Sequence, residues 1–214
     1  MTSRVSIIIP HFNGREILHA CLKSIKETIS SDDEIILVDN NSSDDSVIMT
    51  EKEFPHVIIK KLSENLGFAG GCNYGIKQSK AKYICILNND TVQNEKWLDF
   101  LVEYLEHNPE VASVMPKLLS YHQRDRFDYS GGSGGYMDKY AYPFVRGRLF
   151  DDLEIDRGQY DTVVPVFWCS GTAFVIRKSV LDEIGLFDTA FFAHMEEIDL
   201  HWRLHLAGYA AAVV

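Results

Sequence analysis

The sequence predicts a single α/β domain, a mostly parallel central sheet with helices on both faces. Strand-length apolar runs alternate with stretches whose apolar residues recur at helical spacing, the order expected when right-handed crossovers join parallel strands. Two of those runs stop abruptly at Asp- and Asn-rich loops, as strands do when their carboxyl ends open onto a ligand crevice. The 214 residues, 46% of them hydrophobic and free of tandem repeats, suffice for one large core.

Residues 5–9 (VSIII) form a β-branched run that Pro10 ends, with His11-Phe12-Asn13-Gly14 as the turn after it. A helix over 16–29 follows, its apolar stripe made by Ile17, Leu18, Cys21, Leu22, Ile25 and Ile29. Residues 34–38 (EIILV) make a second buried strand, which gives way to Asp39-Asn40-Asn41-Ser42-Ser43-Asp44. Ser43 or Asp44 is expected to cap a helix over 45–53; Pro55 closes it, and 57–60 is a short strand. The Gly-rich turn Asn65-Leu66-Gly67-Phe68-Ala69-Gly70-Gly71 then leads into a helix over about 69–79. Glycine there lets backbone approach a ligand, and a helix N-terminus favours a phosphate. The spacing matches neither a Walker loop nor the dinucleotide fingerprint.

The run 83–87 (YICIL) ends at Asn88-Asn89-Asp90. A carboxylate at the carboxyl end of a buried parallel strand faces the crevice, so Asp90 is placed to hold Mg²⁺ or Mn²⁺ against a phosphate. An Asn/Asp turn with a helix cap uses the same residue types. Next come a helix over 95–108 with Trp97, Leu98, Leu101, Val102 and Leu105 on one side, and a strand at 111–115. From 117 to 161 the periodicity dissolves into polar, aromatic and Gly-rich sequence, including Ser130-Gly131-Gly132-Ser133-Gly134-Gly135-Tyr136; such a stretch is a functional or mobile loop. Arg146 and Arg148 within it could meet a phosphate or stay on a solvated surface. Strands at 163–168 and 172–176, a short helix at 179–184, a helix from 195 to about 207 and a strand at 209–214 complete the chain. Glu196, Glu197 and Asp199 suit the positive end of that last helix. Three carboxylates over four positions exceed what the dipole needs, so at least one is expected to point at the core or a cleft.

A formal net charge of −10 argues against nucleic-acid backbones as ligands and leaves single nucleotides, taken with a metal. The four cysteines contain no Cys-x-x-Cys pair, so reduced, buried thiols are expected. The short opening apolar run and the lack of any apolar stretch of about eighteen residues predict a cytosolic protein, with contact to a membrane surface left open. Oligomeric state is not legible.

Six stretches in order, VSIIIPHFNG, EIILVDNNSSDDS, ENLGFAGGCNYGI, YICILNNDT, CSGTAFVIRKSVLDEIGLFDTAFF and MEEIDLHWRLHLAGY, resemble the inverting family-2 glycosyltransferases, above all the bacterial enzymes that build polysaccharide or lipopolysaccharide chains, the rhamnosyltransferase-like group among them. The resemblance implies the A-type glycosyltransferase fold, with 1–116 as the nucleotide-binding half, 117–161 as an irregular region and 162–214 as the acceptor and catalytic-base half. It implies inverting transfer from a nucleoside-diphosphate sugar to a hydroxyl of a glycan or lipid-linked glycan, at the inner face of the membrane. Pro10, Phe12 and Asn13 would line the nucleotide pocket, Asp39 would reach the base, and Asn65, Gly67 and Gly71 would approach the donor. Asn88 and Asn89 stand with Asp90 where the family has its Asp-x-Asp metal motif; Asn88 replaces the first Asp, leaving Asp90 as the metal carboxylate. Glu196-Glu197 takes the place of the family's Glu-Asp pair, which gives Glu197 the base position, with Asp199 as the alternative. His201 and His205 are expected on the helix surface or in packing. Members often supply a metal-ligating histidine further on, so the expectation is a catalytic domain lacking its C-terminal segment. Two rival readings are a sugar-nucleotide binding module without turnover and a nucleotidyltransferase, which reacts at phosphorus.

Overall fold

The structure, a computed structural model, describes residues 3–130 and 132–214; Gly131 of the Gly-rich run lies outside them. Along the chain come β1 (Val5–His11), α1 (Arg15–Lys26), β2 (Glu34–Asp39), α2 (Ser46–Glu53), β3 (Ile58–Lys61), α3 (Gly67–Gln78), β4 (Tyr83–Leu87), α4 (Trp97–His107) and β5 (Val111–Met115). The short strands β6 (Gly135–Met137), β7 (Pro143–Val145), β8 (Arg148–Leu149), β9 (Asp152–Leu153) and β10 (Val164–Val166) follow. The chain ends with β11 (Ala173–Arg177), α5 (Lys178–Ile184), α6 (Glu196–Leu206) and β12 (Ala210–Val213).

The main sheet has the order β10-β12-β5-β11-β4-β1-β2-β3. β3, β2, β1 and β4 are mutually parallel, as are β5 and β12, while β11 runs antiparallel to both β4 and β5, and β10 antiparallel to β12. Strand side chains alternate between faces, and the core divides accordingly. Ile7, Ile9, Leu37 and Leu87 pack under α1 and α4, while Ile8, Val38, Ile84 and Ile86 pack under α3 and α6. Helices on both faces of a mostly parallel sheet, as the pattern predicts, leave the carboxyl ends of β1, β2 and β4 along one edge.

The segment 117–161 departs from the expectation of an irregular loop. It folds into two small antiparallel sheets, β6 with β7 and β8 with β9, tied in by single bridges such as Leu119 to Phe127 and Gly135 to Trp168. Strands of two or three residues are too short for a period of two to register in sequence. Arg146 and Arg148 brace this unit instead of waiting for a phosphate: Arg146 Nε donates to the Ser133 carbonyl and its guanidinium lies 4.5 Å from the Tyr160 ring centre, while Arg148 Nη1 donates to the Tyr129 carbonyl.

The capping expectation at Ser43 or Asp44 is also corrected. The residue flanking α2 is Asp45, whose side chain makes no cap bond. Asp44 reaches back to the start of α1 instead, its Oδ2 accepting from the Gly14 N–H at 2.7 Å and the Arg15 N–H at 3.2 Å. Its Oδ1 accepts from the Ser46 N–H and hydroxyl, and Asn13 Oδ1 accepts from the Ser43 and Asp44 N–H groups. The loops after β1 and β2 are thereby stitched together. Asp44→Ala is expected to cost about 1–2 kcal/mol, the usual loss for a helix-capping side chain. A urea midpoint at neutral pH equal to that of the parent protein would refute the cap. Desolvation pushes the Asp44 carboxyl up, but the bonds from Ser46, Gly14 and Arg15 outweigh it and hold the pKa below the usual value of 3.8. The stabilisation is therefore present above pH 3.8 and fades as pH falls through the lowered pKa.

Candidate active site

A cleft of about 730 Å³ opens where the ends of β4 and β5, the turn before β11 and the start of α6 meet. Asn88 and Asp90 line one side, Ser170-Gly171-Thr172 the floor, and Glu196 and Glu197 the α6 end. The metal-motif aspartate and the acidic pair, over a hundred residues apart in sequence, thus face one space.

The Asn88-Asn89-Asp90 turn is rigidly built. The Asn88 N–H donates to the Thr172 carbonyl at 2.9 Å, and the Asn88 carbonyl accepts from the Thr91 hydroxyl at 2.9 Å. Asn89 turns away from the cleft, its Nδ2 donating to His11 Nδ1 at 2.7 Å, so the proton of the neutral His11 ring sits on Nε2 and is donated to Ser46 Oγ at 2.9 Å. Burial, which outweighs the charges of Asp44 and Asp39, lowers the His11 pKa and keeps the ring neutral. Asp90 is left free to face the cleft, its pKa raised first by desolvation and further by the charge of Asp128 on the facing wall.

α6 presents its acidic pair from an unusual start. The helix has no side-chain cap, and it follows two non-glycine residues, His194 and Met195, both at φ +73°. Backbone held in that region is costly and concentrates at functional sites. Glu196 is 5% exposed, and Glu196 Oε2 and Glu197 Oε2 are both buried without a hydrogen-bond partner. Burial, then the charge of Glu196, push the Glu197 carboxyl up to about 7; burial likewise raises Glu196. A carboxylate that is half ionised near neutrality, with a free oxygen in a cleft, is suited to take a proton from a hydroxyl. Its carboxyl carbon lies against Gly171, where a Cβ would stand 3.9 Å away.

Asp199, the alternative base, does not reach this cleft. Its Oδ2 accepts from Arg203 Nε at 3.0 Å and Nη2 at 2.8 Å, and it borders a separate cavity of about 200 Å³ with Met195 and Trp202. Arg203 in turn donates to the carbonyls of Ile184, Gly185 and Leu186. Two positions along one helix separate a carboxylate in the cleft from one held by an arginine.

The residues expected around the nucleotide gather beside the cleft rather than in it. Pro10 is buried, Phe12 is 51% exposed, Asn13 spends its side-chain oxygen on the neighbouring loop, and Asp39 Oδ1 accepts from the Ser42 N–H. All four lie at the carboxyl ends of β1 and β2. Gly67 and Gly71 make room for neighbouring protein groups. A Cβ at Gly71 would stand 2.8 Å from Asn40 Nδ2, and one at Gly67, where φ is +71°, would collide with the Phe192 carbonyl oxygen that Phe68 N–H also reaches. Asn65 Oδ1 accepts from the Gly67 N–H at 2.9 Å. What sequence reasoning missed is the cleft's far wall: Lys117, Tyr121, Arg124, Asp128 and Tyr129. Lys117 is held by Asp156 at 2.6 Å and Asp161 at 2.5 Å. No motif flags these residues, because they come from a segment without period.

Among the described residues no group of three or more His, Cys, Asp or Glu side chains could hold a metal ion alone. The donor set nonetheless fits Mg²⁺ or Mn²⁺ shared with a ligand, since a single carboxylate raised by desolvation and repulsion, beside the neutral Asn88, gains from a cation whose other ligands are phosphate and water oxygens.

Comparison with known proteins agrees with this architecture. The poly-beta-1,6-N-acetyl-D-glucosamine synthase of Staphylococcus aureus (strain COL) is 25% identical over 207 residues, 96% of this chain and 46% of that protein. Its namesake from Staphylococcus epidermidis gives the same figures. The chain therefore spans about half the length of the curated relatives it matches. Among solved structures, GalNAc-T7 with UDP, GalNAc and Mn²⁺ superposes with a TM-score of 0.77 at 14% identity, over 100% of this chain and 42% of that one. TarS of S. aureus (residues 1–349) gives 0.69 at 15% identity, over 99% and 58%. The mannosyltransferase PcManGT of Pyrobaculum calidifontis, in complex with GDP-Man and Mn²⁺, gives 0.68 at 16%, over 100% and 57%. At such identities these likenesses establish the fold, the A-type glycosyltransferase fold. Residues 6–185 match the family model described as glycosyl transferase family 2, and the chain belongs to that family.

Proposed function

We propose that this domain moves a sugar from a nucleoside-diphosphate sugar to a hydroxyl of a glycan or lipid-linked glycan, with inversion, in the synthesis of a bacterial surface polysaccharide. The observation that carries the reading is the half-buried Glu197, with an unpartnered oxygen and a pKa near neutrality, in the same cleft as Asp90. The similarity to poly-beta-1,6-N-acetyl-D-glucosamine synthases supports a polymer product, and the ligands of the structural neighbours support a nucleotide donor with Mn²⁺.

Each residue then has a task. Residues 1–116 form the nucleotide side, where Asp39 takes the base, Pro10, Phe12 and Asn13 flank it, and Asn65 with the turn it orders stands near the donor. Asn88 accepts from a ribose hydroxyl, and Asn89 holds the turn through His11. Asp90 would hold Mg²⁺ or Mn²⁺, which when bound offsets negative charge on the diphosphate leaving group. Residues 162–214 supply the reaction side. Glu197 takes the proton of the acceptor hydroxyl on the face opposite the diphosphate, and the charge of Glu196 beside it raises the affinity of the carboxylate for that proton. We place the protein at the inner face of the cytoplasmic membrane; no helix among the described residues is long and apolar enough to cross one.

Incubation with a panel of sugar nucleotides and Mn²⁺ tests the reading. The expected products are free nucleoside diphosphate and a glycoside of inverted anomeric configuration. Pyrophosphate as product would replace this reading with nucleotidyl transfer, and tight binding without release would replace it with a binding module.

A further inference from the structure

Two unpartnered carboxylates project from the first turn of α6, yet that turn has no cap and follows a strained backbone. Its anchor lies on the underside of the helix. His201 is completely buried, with Nδ1 2.7 Å from the main-chain oxygen of Glu197 and Nε2 2.9 Å from Ser113 Oγ on β5. A carbonyl can only accept, so Nδ1 carries the proton, and Nε2 receives the Ser113 hydroxyl proton. The Phe174 ring on β11 meets the imidazole edge-on, 5.4 Å away at 69°, which fixes the ring plane. β5 and β11 are interior strands of the sheet, so the bridge runs from rigid scaffold to the residue that bears the base. The other tethers of α6 act further along: Arg203 on the turn at 184–186, and His205, whose Nε2 lies 2.7 Å from the Phe167 carbonyl.

We propose that His201 is a positioning residue for Glu197: the Ser113 hydroxyl, the neutral imidazole and the Glu197 carbonyl form a bridge that sets the first turn of α6 and holds the Glu197 carboxylate against Gly171. The proposal rests on Glu197 being the base. Misplacing a reacting group by about 1 Å can cost on the order of 100-fold in rate, so a bridge acting on the main chain of the base has kinetic leverage without touching substrate.

Three variants test it. His201→Phe keeps an aromatic ring in the core and removes both bonds; His201→Asn retains an N–H that can replace Nδ1–H; Ser113→Ala removes the scaffold end, together with the 3.5 Å contact of that hydroxyl to Cys169 Sγ. In His201→Phe, kcat is expected to fall about 30-fold, within the range above, with the calorimetric Kd for nucleoside diphosphate unchanged. His201→Asn should recover most of kcat, and Ser113→Ala should fall between. The acid limb of kcat should move to lower pH in His201→Phe, because a loosened turn admits water to Glu197. The charged groups facing Glu197, namely Glu196 and His194, and those facing His201, namely Arg203 and His205, are unaltered by the substitution. Native kcat in a folded His201→Phe protein, or equal losses in His201→Phe and His201→Asn, would overturn the proposal. If His201→Phe does not fold, native kcat in Ser113→Ala overturns it. Turnover retained in Glu197→Gln would refute the base assignment itself, which separates the two failures.

Discussion

Glu197→Gln is expected to cut the rate of sugar transfer about 1,000-fold, within the range usual for loss of a general base, while making the protein more stable above pH 7. The two effects share one cause. Glu197 sits in a desolvated place beside Glu196, with an oxygen that no protein group satisfies. Its pKa rises from 4.5 to about 7, so the folded state holds a proton that the unfolded state releases. Stability is therefore greatest below pH 4.5 and is lost as pH rises through about 7. Full ionisation costs on the order of 3 kcal/mol at 1.36 kcal/mol per pKa unit. Glutamine has the same shape and carries no charge, so its melting temperature should exceed that of the parent protein at pH 8 and match it near pH 4.5. In the unsubstituted protein, kcat should rise with pH through about 7 as the carboxylate ionises. Transfer by Glu197→Gln within threefold of the parent rate, or a melting temperature lower at pH 8, would remove Glu197 from the role.

Much of this arrangement was legible in the sequence because long buried elements repeat a period over enough residues. The runs at β2 and β4, and the stripe Leu18, Leu22, Ile25 on α1, could be placed from the pattern, whereas β1 does not stop at Pro10 as expected but continues through it, paired with Val38, to His11. That Asp90 follows a buried strand and that Glu196 and Glu197 open a helix was legible too, and the structure lines one cleft with all three. Three things were not. The far wall of the cleft arises from residues such as Tyr121 and Arg124, in the turn between the bridged Leu119 and Phe127, a segment too short to leave a pattern. The glycines at 67 and 71 were read as making space for a ligand, whereas Phe192 and Asn40 fill it; sequence shows that a side chain is missing but not what occupies its place. Asp199 and Glu197 differ by two positions, about 200° around a helix at 3.6 residues per turn, so one meets the cleft and the other meets Arg203. Only the rotation of α6 about its axis decides between them, and His201 and Arg203 set that rotation through long-range bonds that no local pattern encodes.

Asp90→Asn is expected to abolish the effect of Mn²⁺ on nucleoside-diphosphate binding, with metal-dependent affinity falling at least 100-fold, about 2.8 kcal/mol at 1.4 kcal/mol per tenfold change. The size follows from how little else the protein offers. Asn88 is already neutral, Asn89 is committed to His11, and no acidic cluster among the described residues stands in reserve. Asp128 is the nearest competitor, since its charge is felt at Asp90, but its Oδ1 accepts from both the N–H and the hydroxyl of Ser130. Asp128→Asn should therefore leave the Mn²⁺ response largely intact. Asparagine at 90 matches aspartate in size, so the turn should keep its bonds from Asn88 to Thr172 and Thr91, and binding measured with chelator present should be the same in both proteins. Titration calorimetry with UDP and GDP, each with Mn²⁺ and with EDTA, provides the four comparisons. If affinity with Mn²⁺ survives in Asp90→Asn and is lost in Asp128→Asn, the cation sits on the hairpin wall, and the strand end that the sequence singles out would only shape the cleft. If both substitutions are needed to lose it, the two walls grip the ion jointly, and Asp90 alone is not the metal carboxylate.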